Sequence, residues 1–440
     1  MRNVLTRLRR VSRRDAIIPH FARSVAVLAT RSITGQVLVF LSVPVLSRMY
    51  SPEDFGALSV FSSVLGVIAI IATLRFENAI LVPAKDDEAN QVLLLSICVA
   101  TATAIATAIA VAAAGKAFSE AIGSPNLYSD LWILPFAVWA AGVYSSFINR
   151  IIRARDYTIV GRLTLRKVVV QVVTQVGLGL VGLGPSGLIL GKTLERSTGI
   201  ITLYRRMSGE IRRALADISP KALWRTASAY RAFPLYSTSA SLMRALSVQI
   251  PPLLLAKFYG IDVAGMFAIT NRVLGTPLQT VGNAVGHVYL GHAAHLMHRD
   301  PVALRKLFTN TAIRLAAIGA LPALALTLWG EKLLSWFLGE DWSLAGSFVR
   351  VLAVMYMAQF VVSPLVMTVE IMRRQGVRFV WEIIQTSAAV GALTAARVLD
   401  WGPVSALALY SGTMVIGYVG FYEVNRRIVN RPAGEYSWTN

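Results

Sequence analysis

A single cysteine, Cys98, stands in 440 residues. It sits in an apolar run, so no intrachain disulfide can form and no cysteine cluster can hold a metal. Charge is nearly as scarce. Charged residues make up 15% of the chain, where a soluble domain has roughly 25%. Acid is the scarcer sign: 23 Asp and Glu stand against 43 Lys and Arg, for a net charge of +20. Long polar stretches are missing too, which leaves no room for a soluble catalytic domain. What remains is 55% hydrophobic, with a mean hydropathy of +0.58. A balance of this kind belongs to a membrane protein. The basic excess could suggest nucleic acid, but the Lys and Arg fall in short blocks between apolar runs, so no nucleic-acid partner is expected.

A membrane span needs about 20 mostly apolar residues. About twelve such runs occur, near 24–47, 55–80, 89–114, 129–150, 159–181, 185–204, 228–256, 262–288, 308–329, 345–369, 377–398 and 403–424. The expectation is an all-α polytopic membrane protein in two six-helix lobes. Residues 1–23 form a basic cytoplasmic segment, 24–206 the first lobe, 207–227 a basic cytoplasmic linker, 228–425 the second lobe and 426–440 a cytoplasmic tail. The start, "MRNVLTRLRRVSRRDAIIPHFARS", is charged like a signal peptide, but the following run is too long and lacks a cleavage site. Residues 1–20 read instead as a segment lying on anionic membrane lipids.

Lys and Arg placement sets the orientation. Loops on the side of the N-terminus carry about 28 basic residues; those on the other carry about five, namely Arg48, Lys116, Lys257, Lys332 and Arg397. Both termini are expected in the cytoplasm, with an even number of spans.

An internal repeat underlies the two lobes. "RMYSPEDFGALSVFSSVLG" (48–66) aligns without gaps on "KFYGIDVAGMFAITNRVLG" (257–275). Arg48 falls on Lys257, Tyr50 on Tyr259, Glu53 on Asp262, Gly56 on Gly265, and Leu65-Gly66 on Leu274-Gly275. Each stretch follows a Pro-bearing helix and joins the first and second helices of a six-helix set. Six spans return the chain to its starting side, so the repeats are parallel, related by a pseudo-two-fold axis along the membrane normal. The charge in "SPED" then lies in a solvated external loop.

Polar residues form stripes at helical spacing. They are Ser24, Arg31, Gly35 and Ser42 in the first helix, and Ser59, Ser63, Gly66, Thr73 and Glu77 in the second. Ser237, Ser241 and Arg244 follow in the seventh, and Arg272, Thr276, Thr280, Asn283 and His287 in the eighth. Charge facing lipid costs several kcal/mol, so such stripes should face a wet interior between the lobes. The deep charges are Arg rather than Asp. Arg31, Arg231, Arg244, Arg272 and Arg314 fall within or near the ends of spans, and a cavity lined by Arg should attract a phosphate or pyrophosphate, whose oxygens guanidinium forks bind in pairs. Thr276, Thr280, Asn283 and Glu77 are candidate secondary cavity residues. Snorkelling to the interface is the competing explanation. It suits Arg231 and Arg314 better than Arg244 and Arg272, which lie about ten residues or more from a helix end.

Three motifs dissolve on inspection. "GPSGLILGKT" (184–193) lacks the first glycine of a phosphate loop, because Ser186 stands there; its glycines suit a tight turn and close helix packing. His292, His295 and His298 lie three apart but no Cys or carboxylate completes a metal set, so they read as a solvated face. Asp86, Asp87 and Glu88 read as a solvated helix start rather than a glycosyltransferase metal site.

Seven stretches, in order, carry a family resemblance: "SRMYSPEDFGALSVF", "RFENAILVPAKDDEA", "GSPNL", "FINRIIRARDYTIVGR", "GPSGLILG", "YRAFPLYSTSASLMRALSVQIPPLLLAKFYG" and "LGEDWSLAGSFVRVLA". The chain resembles Wzx-type polysaccharide flippases, the polysaccharide-biosynthesis branch of the multidrug/oligosaccharidyl-lipid/polysaccharide (MOP) exporter superfamily. The resemblance implies alternating access and an undecaprenyl-diphosphate-linked glycan moved from the cytoplasmic to the periplasmic leaflet of the bacterial inner membrane. Related lipid II flippases use cavity arginines for the pyrophosphate. By position, Arg31, Arg75, Arg244 and Arg272 would take that part here. Partners would be the lipid-linked oligosaccharide and the polymerase and glycosyltransferases of its pathway. No cofactor or resident metal is expected, with H⁺ or Na⁺ coupling left open. A cation-coupled drug exporter would want deep acid in the first lobe, where this chain has Arg. A membrane polymerase or ligase would want a large external loop with Arg and His, and the external loops here are short and without His. A structural subunit of a synthase complex would not need polar stripes between lobes.

Overall fold

The computed structural model describes residues 34–216, 219–297, 299–372 and 374–430, and these are helical without a strand. Twelve principal helical segments occur among the described residues. The first six are α1 (Thr34–Met49), α2 (Pro52–Ile71), α3 (Asp86–Ala121), α4 (Leu134–Arg153), α5 (Tyr157–Leu180) and α6 (Gly184–Ser197). The second six are α7 (Thr238–Tyr259), α8 (Ile261–Thr270, resuming as Thr276–Leu296), α9 (Pro301–Leu338), α10 (Ser343–Val362), α11 (Gln375–Val398) and α12 (Pro403–Asn430). Eight of these, α2 to α5 and α9 to α12, are long and apolar enough to cross a membrane. The segments that fall short include α6, α7 and α8, which are short, polar or interrupted. Cavity-lining helices have that character. Large apolar side chains cover the outside, as lipid contact requires: Leu180 is 79% exposed and Trp336 80%.

Local chemistry sets the helix ends. Ser51 caps α2: its Oγ accepts from the Asp54 N–H at 3.2 Å, and the Asp54 carboxylate accepts from the Ser51 N–H at 2.9 Å. Pro52 opens the first turn. The "SPED" charge is thus solvated, as expected, and also builds a capping box. Asp86, Asp87 and Glu88 likewise fill the first turn of α3, where the helix dipole favours acid. The repeat extends further than the aligned nineteen residues. The third helix of each set is the longest, 36 residues in α3 and 38 in α9.

Ile200–Ala216 continues from α6 as a helix. Leu203, Met207 and Ile211, four apart, bury one face against Val92, Leu93, Phe147 and Ile151. Arg205, Arg206 and Arg212 are exposed on the other face.

One apolar core runs through both lobes. Leu46, Tyr50, Phe55, Val60 and Phe61 share it with Leu255, Val263, Ala264, Leu338 and Trp342. Trp342 Nε1 donates to the Ser47 carbonyl at 3.0 Å, and Ser47 Oγ donates to the Leu338 carbonyl at 2.9 Å. The Trp342 ring meets Phe55 edge-on at 5.3 Å. At the same place α2 and α8 touch backbone to backbone. A Cβ added to Gly56 would lie 1.9 Å from the Ile261 carbonyl oxygen, and one added to Gly265 would lie 1.9 Å from that of Pro52. The repeat pairs Gly56 with Gly265 and Pro52 with Ile261, so the two contacts are mates across the pseudo-two-fold axis. This end of the lobe interface is shut.

Candidate functional site

The shut end lies beside the α7–α8 connection. Arg244, fifteen residues before Tyr259, is about 22 Å away along α7. In that distal half, α7, α8, α10, α11 and α12 enclose a cavity of about 350 Å³, within the usual range for small-ligand pockets. Arg244, Thr276 and Asn283 line it, together with Asn271, Gln279, Gln385, Trp381, Tyr356, Tyr410 and Tyr418.

A backbone irregularity aims part of this lining. Asn271–Gly275 forms one π turn inside α8, a device that recurs at functional sites. It turns Asn271 to the cavity, where Asn271 Oδ1 accepts from the Tyr356 hydroxyl at 3.1 Å. Thr276 Oγ1 donates to the Asn271 carbonyl at 3.2 Å and Thr280 Oγ1 to the Thr276 carbonyl at 2.9 Å. Both hydroxyls keep acceptor lone pairs. Thr280 is not in the cavity wall. Trp381 Nε1 and Gln385 Nε2 are buried donors without a partner among the described residues.

The four arginines fare differently. Arg244 is exposed to the cavity, and no described carboxylate pairs with it. Arg378, also in the wall, is paired with Glu370 and with Glu382, the latter at 3.1 Å. Arg272 turns out of this cavity toward the first lobe, with Nη2 3.5 Å from Ser42 Oγ of α1. Arg75 stands in the left-handed region (φ 63°) after α2, which brings it back onto Glu77 at 3.2 Å. Glu77 is buried, also takes the Thr73 hydroxyl, and its carbonyl accepts from Asn149 at 3.0 Å. Arg75 and Glu77 thus form a local ion pair away from the C-lobe cavity. Arg31 lies outside the described residues. The structure therefore brings Arg244, Thr276 and Asn283 together and leaves Arg272, Arg75 and Glu77 elsewhere.

A second polar centre lies in the first lobe. Lys167 of α5 and Lys192 of α6 both pair with Glu195, at 3.3 and 2.7 Å. The Lys167 ammonium sits 4.2 Å from the centroid of the Tyr144 ring. Arg196 is also within electrostatic reach of Glu195, and its Nε is buried without a partner. One signal in the sequence marks this cluster: Lys192, Glu195 and Arg196 at helical spacing. The glycines of "GPSGLILGKT" do serve packing. Gly187 meets Tyr50, and Gly191 lies so close to α5 that a Cβ would be 2.4 Å from Gln175 Cγ.

A family model described as "Polysaccharide biosynthesis protein" matches residues 45–347. The succinoglycan biosynthesis transport protein ExoT of Rhizobium meliloti (strain 1021) is 22% identical over 400 residues, covering 87% of this chain and 76% of that protein. An inward-facing multidrug resistance MATE family transporter of the MOP superfamily superposes with a TM-score of 0.68 at 14% identity, covering 91% of this chain and 98% of the other. The lipid II flippase MurJ, in an inward closed conformation, superposes at 0.65 with 10% identity, covering 93% and 88%. The twelve-helix, two-lobe arrangement is the fold of these transporters.

Proposed function

Because the chain belongs to the polysaccharide biosynthesis protein family, we propose that it carries a lipid-diphosphate-linked oligosaccharide across the bacterial inner membrane by alternating access. It is a transport protein rather than an enzyme. Both termini are read as inside from the Lys and Arg asymmetry, and movement from the cytoplasmic to the periplasmic leaflet is proposed on the family resemblance.

The observation that carries this reading is the C-lobe cavity. It offers one unpaired guanidinium, Arg244, amid amides, hydroxyls and aromatic faces. Amide donors and acceptors match sugar hydroxyls, aromatic rings offer flat apolar faces, and an Arg fork matches a phosphate. The cavity lies in the half away from the shut contact of α2 with α8. By the same asymmetry that contact is on the external side, so the state is one that admits substrate from the cytoplasm. Shifting this closure to the other end would release the substrate outside. The relatives that support the reading act in succinoglycan transport and lipid II flipping.

Purified protein in liposomes should move a polyprenyl-diphosphate oligosaccharide between leaflets with its linkages intact. Depletion in cells should leave that lipid on the cytoplasmic face. Hydrolysed or polymerised product from the protein alone would refute the reading, as would liposomes in which the lipid stays put.

A further inference from the structure

We propose that Lys167, Lys192 and Arg196 form a second anion site, in the first lobe, that takes a phosphate or diphosphate group, with Glu195 as its built-in counter-ion. For the source of that group the inference rests on the function proposed above; for the site itself it does not.

The first argument is charge. Three cationic side chains surround one carboxylate. Arg272, reaching over from the second lobe, lies within electrostatic reach of the same carboxylate. All are at most partly exposed: Lys167 16%, Lys192 26% and Glu195 14% by side chain. Surplus charge held away from water is costly unless something neutralises it. A phosphate group brings roughly −1.5 to −2 near pH 7, which matches the surplus of the three first-lobe cations over Glu195.

The helix break is the second argument. Lys167 lies ten residues into α5, about 15 Å from its start, and Lys192 lies five residues before the end of α6. Glu195 and Arg196 sit in the last turn of α6, beside a break where Thr198 is extended and Gly199 has a φ of +96°. Broken helices of this kind line ligand sites in transporters.

An unused donor is the third. Arg196 Nε, next to Glu195, is buried with no hydrogen-bond partner among the described residues. Glu195 occupies both lysines in their place. An arriving phosphate would compete with that carboxylate for the lysine ammonium groups and would add the guanidinium. Lys192 belongs to the stretch that resembles a phosphate loop, yet it would act here from a helix face rather than from a loop.

The test uses the full-length protein in phosphatidylcholine nanodiscs. Calorimetry measures binding of inorganic pyrophosphate and of farnesyl diphosphate, and thermal unfolding is followed with each. Lys167→Gln and Lys192→Gln should each weaken binding about tenfold or more. Glu195→Gln should tighten it by a similar factor and make stability depend on the added anion. That gain cannot arise from misfolding. A purely structural ion pair predicts that Glu195→Gln loses stability and gains no affinity. Binding of both probes, or of farnesyl diphosphate alone, supports a site for the lipid-linked group. Binding of inorganic pyrophosphate alone supports the site but assigns it a free anion, which counts against the proposed substrate. No binding of either probe, or binding indifferent to Glu195→Gln and both lysine variants, overturns the site. If transport of the lipid-linked oligosaccharide persists in the Lys167→Gln/Lys192→Gln double variant, the site's part in transport is overturned while the transport reading stands.

Discussion

The closest approach of the two lobes makes the sharpest prediction. Gly56→Ala or Gly265→Ala would put a methyl group 1.9 Å from a carbonyl oxygen of the opposite helix. Real Cβ contacts essentially never fall below 3.0 Å, and both obstructing atoms are backbone. Neither can rotate away, so α2 and α8 must part by about 1 Å or more, and such overpacking costs typically 1–3 kcal/mol. That penalty is confined to the state in which this end is shut. The ratio of shut to open forms should therefore fall by a factor of about 5 to 150. Helix propensity alone predicts no change in this ratio, since Ala for Gly in a helix interior stabilises both forms by roughly 0.5–1 kcal/mol. The double variant should cost less than the sum, because helices parted by one methyl have room for the second. The assay labels a cavity position, Gln279→Cys, with a membrane-impermeant maleimide from the external side. The background is Cys98→Ala, since Cys98 is exposed. Either alanine should speed external labelling and reduce transport per molecule. Unchanged labelling and transport in both single variants would refute the argument that this contact holds the external end shut.

Three further outcomes are expected. Arg244→Ala should abolish transport normalised to detergent-stable protein, and Arg244→Lys, which keeps the charge but loses the fork, should impair it partly; normalised transport near that of the unmodified chain would show that the guanidinium does not hold the anion. Glu77→Gln should lower the thermal midpoint by about 1–3 kcal/mol equivalent, less than a fully buried pair loses because Arg75 is 26% exposed. Adding Arg75→Gln should restore part of that loss, and a midpoint unmoved by Glu77→Gln would remove the pair from the stability of the α2 end. Cysteines at Ser51, Lys116, Lys257, Lys332 and Asp400 should react with an impermeant reagent from outside; labelling of most of them only from the cytoplasm would reverse the topology.

Much of this was legible in one dimension because it is written in local patterns. A span shows as a run of apolar residues, since lipid forces every backbone polar group into a helix. The repeat showed because equivalent helices meet equivalent neighbours, and the pairing of Gly56 with Gly265 became a physical contact at the axis. Capping at Ser51 and the acidic start of α3 were equally local. Which polar residues share a cavity was not legible, for reasons that are not local. Helical spacing puts Arg244 and Arg272 on polar stripes, but only packing decides which neighbour each stripe faces. The π turn at Asn271–Gly275 rotates the register of α8, so that Asn271 and Thr276 enter the cavity while Arg272 turns to Ser42 of the other lobe. Left-handed Leu74 and Arg75 fold an apparent cavity arginine back onto Glu77. Lys167 and Lys192 lie 25 positions apart in sequence and share one carboxylate only because α5 and α6 pack at glycine distance. The sequence determined the number, order, polarity and symmetry of the helices, which depend on the solvent each segment must match. The tertiary structure decided which charges are free and which are neutralised, because Coulombic pairing depends on separations across helices that no spacing along one helix encodes.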